Sequence, residues 1–179
     1  MQKPEYYDKL IRNVPDFPKK GIQFKDITTL IKDAKGLDNA VSDLAASFKD
    51  AKVDKVLGIE SRGFVFGTGI ALKLGKGFIL ARKPGKLPAK TERAEYSLEY
   101  GKDAIEVHVD AINKGERVLI IDDLLATGGT FVAAAKLVEK LGGIVAGIGC
   151  VIELTGSLHG RDQLKAYKVV SLVQIPVHE

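Results

Sequence analysis

The residues best placed to do chemistry stand together in Val118-Leu119-Ile120-Ile121-Asp122-Asp123-Leu124-Leu125-Ala126-Thr127-Gly128-Gly129-Thr130. Four apolar residues lead into two adjacent carboxylates, and a turn of small residues with two hydroxyls follows. Gly128 and Gly129 let the backbone come close to a ligand and adopt unusual dihedrals. A helix starting after the turn exposes unpaired N–H groups and the positive end of a dipole, which suits a phosphate, and Thr127 and Thr130 add hydroxyl donors. Asp122 and Asp123 repel a phosphate and should face something else. The vicinal hydroxyls of a sugar, with a magnesium ion nearby, suit them. The plainer alternative is a strand ending in solvated Asp residues with Thr as a helix cap, and Thr-Gly-Gly-Thr alone favours that alternative. The pattern as a whole favours a ligand site. It is not a P-loop, because no Gly-Lys-Ser/Thr closes the glycine run.

The elements that must position these groups are legible on either side. Residues 118–121 read as a strand buried on both faces. Ala134, Leu137, Val138 and Leu141 fall at i, i+3, i+4 and i+7, one face of a helix that Gly142-Gly143 stops. In an open α/β sheet, ligands bind at the carboxyl ends of strands. Further strands are predicted at 53–59, 77–82, 144–154 and 169–175, the last at a sheet edge, and helices at 5–12, 37–48 and 64–74. Residues 162–167 read as a short helix or turn. Pro15, Pro18 and Gly21 break the chain before an alternating strand at 22–28. Residues 83–93 are polar, hold two prolines and read as a long loop, and a hairpin follows at 96–101 and 105–109. The fold class is α/β: one domain over 1–179, with a mostly parallel sheet of about five strands flanked by helices.

Composition excludes several classes. The chain has 179 residues, 45% apolar and 28% charged, ordinary for a soluble globular protein. A net charge of +4 suits an anionic substrate, but no dense basic run with interleaved aromatics argues for nucleic acid. No apolar run reaches membrane-spanning length, and Met1–Glu5 shows no signal segment. Cys150 is alone in the apolar run 148–152 and reads as a buried thiol, so no disulfide framework exists and a reducing cytoplasm is expected. His108, His159 and His178 are scattered, and no metal-ligand cluster is visible.

The Asp-Asp-Leu-Leu-Ala-Thr-Gly-Gly-Thr run resembles the phosphoribosyl-pyrophosphate (PRPP) signature of the type I phosphoribosyltransferases, in the form carried by the adenine-specific branch. Four further blocks are similar to that family in the same order: residues 17–28, Gly58-Ile59-Glu60-Ser61-Arg62-Gly63-Phe64, Arg82-Lys83-Pro84-Gly85-Lys86-Leu87-Pro88, and Tyr96-Ser97-Leu98-Glu99-Tyr100-Gly101. The resemblance implies AMP and pyrophosphate made from adenine and PRPP, with magnesium bound mainly through substrate oxygens and water and no protein metal cage. It implies a hood over the purine at about 1–30 and a flexible lid at about 83–109. Asp122 and Asp123 would hold the ribose hydroxyls, and Ala126, Thr127, Gly128, Gly129 and Thr130 the 5′-phosphate. Glu60, Ser61 and Arg62 would form the pyrophosphate loop, with a non-proline cis peptide at Glu60–Ser61. Arg82, Lys83 and Lys86 would meet pyrophosphate across a homodimer interface.

Gln23, Phe24, Lys25 and Leu154 would bind adenine: Phe24 by stacking, backbone groups at Gln23 along the amino edge, Leu154 on an apolar face. From its local sequence alone, Phe24 reads as core. The family often carries Arg in place of Lys25 and Asp in place of Glu60. Glu99 would handle the purine proton, and Tyr100 would line the reactive sugar. Enzymes for 6-oxopurines usually carry Asp where Ala126 stands, so the base implied is adenine. A purine-sensing regulator shares parts of the signature but would need an added DNA-binding domain, and none fits here.

Overall fold

The computed structural model describes residues 1–98 and 101–177. The chain runs through α1 (Pro4–Asp8), β1 (Arg12–Pro15), β2 (Gln23–Asp26), α2 (Thr28–Ile31), α3 (Ala34–Ser47), β3 (Lys55–Ile59), α4 (Arg62–Leu74) and β4 (Gly77–Ala81). It continues through β5 (Thr91–Leu98), β6 (Gly101–His108), β7 (Arg117–Ile121), β8 (Leu124–Leu125), α5 (Gly129–Lys140), β9 (Ile144–Gly156), a 3₁₀ turn (Gly160–Leu164) and β10 (Val169–Val177).

The central sheet has the order β10-β9-β7-β3-β4, with β8 also paired to β9, and every one of these pairings is parallel. Alternation along each strand sends side chains to opposite faces. On β7, Leu119 and Ile121 enter one core with Phe48, Phe66 and Ile70, while Val118 and Ile120 enter the other with Phe131, Leu137 and Val138. So α3 and α4 cover one face of the sheet, and α5 covers the other with β6. Each fully buried Leu, Ile or Phe here contributes roughly 1.5–3 kcal/mol. The Asp33 carboxylate caps α3 by accepting from the Gly36 amide at 2.6 Å. Gly75 ends α4 in the left-handed conformation at φ 64°. No helix among the described residues is long and apolar enough to cross a membrane.

Three expectations need correction. The first helix ends at Asp8 rather than at 12, and Arg12–Pro15 forms a strand that pairs antiparallel with β2. Its cause lies in a partner distant in sequence: the Arg12 guanidinium binds Asp26, which also accepts from the Thr28 amide at 2.9 Å. That amide first, and Arg12 next, push the Asp26 carboxyl down to about 2. The polar stretch 83–93 is not all loop, because β5 starts at Thr91 and runs in register with β6 down to Thr91↔His108. Polar residues suit this hairpin since one of its faces meets water.

Candidate active site

A parallel sheet puts all its carboxyl ends on one side. Gly58 of β3 is in register with Ile121 of β7, so the two chain exits lie next to each other. From β3 emerge Glu60, Ser61 and Arg62, with the Glu60–Ser61 peptide cis; from β7 emerge Asp122 and Asp123. These five residues line one cavity of about 210 Å³. Their closeness depends on Gly63: a Cβ there would lie 2.7 Å from the Ile121 carbonyl oxygen and 3.1 Å from Asp122 Cα.

Arg62 Nε donates to Asp123 Oδ2 at 2.6 Å, and the Asp123 side chain is buried. Among the described residues, the terminal nitrogens of Arg62 have no carboxylate partner, so they remain available to an anion entering from solvent. Burial and the adjacent Asp123 charge push the Asp122 carboxyl well above the usual carboxylate range. Two adjacent carboxylate groups on the cavity wall are hard oxygen donors, of the kind a magnesium ion takes alongside phosphate oxygens and water.

Arg82 and Lys83 leave β4 beside this cavity, and both are engaged within the chain. Arg82 grips the Glu60 carboxylate through Nε and a terminal nitrogen, each at 3.2 Å, and the Lys83 amide adds a third bond at 2.8 Å. Burial works to raise the Glu60 carboxyl, but these bonds and the Arg82 charge together hold it below its ordinary value. Lys83 Nζ binds Asp103 and donates to the Tyr96 hydroxyl at 2.9 Å. Lys86 is exposed, and its carbonyl accepts from Arg82 at 3.4 Å. The resemblance had assigned all three to a partner's pyrophosphate. The carboxylate and hydroxyl partners of Arg82 and Lys83, 13 to 23 residues away in sequence, could not be read from the basic segment itself.

The turn at 126–130 sits where expected, between β8 and α5. Gly128 caps α5 with φ 89°, and its carbonyl accepts from the Val132 amide at 3.0 Å. Among the described residues, no amide from Thr127 to Thr130 donates to a protein acceptor, which leaves an anion cradle at the helix start. Thr127 and Gly129 line a hollow of about 360 Å³ with Glu95, Tyr96, Ser97 and Gln163. The hairpin thus lies over the turn, and Lys140 Nζ ties it to α5 through Glu92 at 2.7 Å.

In the N-terminal block, Phe24 is half-buried, packs edge-on against Phe17 at 5.1 Å, and lies under the Arg62 guanidinium at 5.5 Å. That contact brings the hood to the anion loop. Asn13 holds the neighbours of Phe24: it donates to Gln23 Oε1 at 2.6 Å and accepts from Lys25 Nζ at 2.9 Å. Leu154 is partly buried against the core on the α3/α4 face. Neither Lys25, Gln23 nor Leu154 lines the two cavities above. Glu99 and Tyr100 lie outside the described residues.

Sequence reasoning missed a buried group at the end of β9. The Glu153 carboxylate, 3% exposed, takes a forked bond from Arg161 and further bonds from Ser171 at 2.6 Å and Gln174 at 3.2 Å. Its one sequence signal was a charged residue ending an apolar run.

The phosphoribosyl transferase domain family model matches residues 27–177. An adenine phosphoribosyltransferase of Clostridium perfringens is 62% identical over 93% of this chain and 96% of its own. The crystal structure of adenine phosphoribosyltransferase from Thermoanaerobacter pseudethanolicus superposes with TM-score 0.93 at 52% identity, covering 97% of this chain and all of that one. The Saccharomyces cerevisiae enzyme, complexed with an imino-altritol bisphosphate and adenine, superposes with TM-score 0.85 at 38% identity over 94% of this chain and 99% of that one. With the parallel sheet, the acidic pair and the glycine turn before α5, these likenesses show that the chain belongs to the adenine phosphoribosyltransferases of the phosphoribosyl transferase domain family.

Proposed function

We propose that this chain carries out purine salvage, joining adenine to PRPP to give AMP and pyrophosphate. The carrying observation is the meeting of three anion- and sugar-binding features at one sheet end: the Glu60–Arg62 loop, the Asp122–Asp123 pair and the amide cradle at 127–130. In the reaction the bond from the anomeric carbon to pyrophosphate breaks and its electrons leave with pyrophosphate. A ring nitrogen of adenine supplies the new bond and loses its proton. Charge therefore develops in two places, positive on the ribose and negative on the leaving group.

The residues suit those charges. Arg62, held at Nε by Asp123, presents its terminal nitrogens to pyrophosphate. Asp122 and Asp123 take the ribose hydroxyls and lie close to the growing positive charge. Ala126 to Thr130 anchor the 5′-phosphate, remote from the chemistry, and so position the anomeric carbon. Phe24 offers a face for the base, which Gln23, Lys25 and Leu154 would also contact. PRPP oxygens and water would hold a magnesium ion beside the acidic pair, and its charge would offset that of the departing pyrophosphate. Residues 1–30 serve as the hood, and the segment 83–109, anchored in the core at Ile105 and Val107, carries the lid, from which Glu99 takes the purine proton and Tyr100 lines the sugar. Closure of the lid excludes water from the oxocarbenium-like centre. Glu99→Gln is expected to lower kcat far more than it raises either KM; an unchanged kcat removes Glu99 from this role.

We also propose a homodimer in which Arg82, Lys83 and Lys86 reach the partner's pyrophosphate, Arg82 and Lys83 first releasing Glu60 and Asp103. Exposed Val65, Leu72 and Leu80 on α4 and the edge strand β4 offer apolar surface for such an interface. Sedimentation as a fully active monomer contradicts it. The buried thiol of Cys150 suits the reducing cytoplasm. The function itself is tested by mixing the chain with adenine, PRPP and magnesium and reading AMP and pyrophosphate release; absence of both sinks it.

A further inference from the structure

The phosphate turn is not held by its own strand and helix alone. The 3₁₀ turn Gly160–Leu164 lies against it backbone to backbone. A Cβ on Gly128 would sit 2.6 Å from the Gly160 carbonyl oxygen, and a Cβ on Gly160 would collide with the Ala126 carbonyl oxygen. Gln163 Nε2 donates to the Thr127 carbonyl at 2.7 Å. A trans peptide points its C=O and N–H in opposite directions. With the Thr127 carbonyl held toward Gln163, the Gly128 N–H is fixed on the far side from that side chain.

The 3₁₀ turn is itself anchored. Arg161 Nε donates to Glu153 Oε1 at 2.7 Å and Arg161 Nη1 to the Val169 carbonyl at 2.9 Å, while Leu164 is fully buried in the core beneath α5. Taking the Glu153 carboxylate out of water offsets much of its attraction to the half-exposed Arg161, so the pair adds little net stability. With every Glu153 bond satisfied, this pair instead gives the turn a single geometry relative to β9 and β10. We infer that the Gly160–Leu164 turn is a clamp for the phosphate turn, with Gly160 and Gln163 as positioning residues that set its amides for the 5′-phosphate. This rests on the PRPP reading above and adds residues to it that touch no reacting atom.

The test uses Gln163, which is exposed, so its replacement leaves the fold intact. Gln163→Met keeps the length and removes the donor. Without this hydrogen bond the turn must be ordered on binding instead of beforehand, which sets a ceiling of roughly tenfold on the weakening of ribose 5-phosphate binding in calorimetry. KM for PRPP is expected to rise with it, while pyrophosphate affinity and KM for adenine stay at wild-type values and the ligand-free melting temperature falls by no more than roughly 6 °C. Gln163→Glu, which sets a carboxylate against the Thr127 carbonyl, is expected to lose more than Gln163→Met. Gly160→Ala is expected to lose most, and if it does not fold the Gln163 pair still decides. Wild-type ribose 5-phosphate affinity in Gln163→Met, or equal loss of ribose 5-phosphate and pyrophosphate, overturns the clamp. A wild-type chain that binds ribose 5-phosphate but makes no AMP overturns the proposed function and leaves the clamp to be decided by the same titrations. A wild-type chain that binds neither ligand overturns both.

Discussion

Gly63 packs the start of α4 against the end of β7, so Gly63→Ala asks how tightly the chemistry of the Glu60–Arg62 loop and the acidic pair depends on their spacing. The added Cβ would stand 2.7 Å from the Ile121 carbonyl oxygen and 3.1 Å from both Asp122 Cα and Oδ1. A carbon–oxygen contact needs about 3.3 Å, so α4 and the end of β7 must part by roughly half an ångström. Two of the three obstructing atoms are backbone and cannot swing aside. Overpacking of this kind costs about 1–3 kcal/mol, and the helix propensity of Ala returns about 0.5–1. The net loss is about 0–2.5 kcal/mol, which for a domain of this size lowers Tm by up to roughly 10 °C. Activity should suffer more than stability. A 1 Å misplacement can cost about a hundredfold, so half of that predicts about a tenfold fall in kcat/KM for PRPP. Gly77→Ala, with no atom within 4 Å of its added Cβ, is the control and should stay within about 0.5 kcal/mol of wild type. Thermal melts and steady-state kinetics at saturating adenine supply both readings. Gly63→Ala with wild-type kcat/KM refutes the claim that this contact sets the site.

The raised carboxyl of Asp122 makes a signed prediction about stability. The folded state holds that proton more tightly than the unfolded chain, so its contribution is present below the unfolded pKa of about 3.9 and is lost as pH rises through the folded value. Ligand-free Asp122→Asn should therefore gain Tm relative to wild type as pH rises, while its PRPP binding in calorimetry weakens. A Tm difference that does not change with pH, or intact PRPP binding, contradicts the assignment. The loss of kcat in Glu99→Gln and the sedimentation of an active dimer complete the set.

Much of the fold could be read directly because its strands are buried on both faces. Residues 118–121 and 144–152 are continuous runs without a charged residue, and the helix after the glycine turn carries an unbroken apolar face. The site was legible wherever its groups follow each other in sequence, as Asp122–Asp123 and 126–130 do. It was not legible where contacts join distant residues. Arg62 and Asp123 are 61 residues apart and Arg82 and Glu60 are 22 apart, so neither pairing leaves a local pattern. The strand Arg12–Pro15 was hidden by the proline that ends it, since a four-residue edge strand has too few alternations to compete with a turn signal. The Glu153–Arg161 pair escaped because a charged residue at the end of an apolar strand looks solvated until its partner is seen.

The central claim is that this site transfers phosphoribose to adenine and not to a 6-oxopurine. It is tested most directly by AMP formation from PRPP with magnesium, run beside parallel reactions holding hypoxanthine, guanine or xanthine. Turnover with adenine alone is expected, because Ala126 cannot make the ring-nitrogen contact that Asp makes in 6-oxopurine enzymes. Turnover with hypoxanthine or guanine at a comparable rate would contradict it.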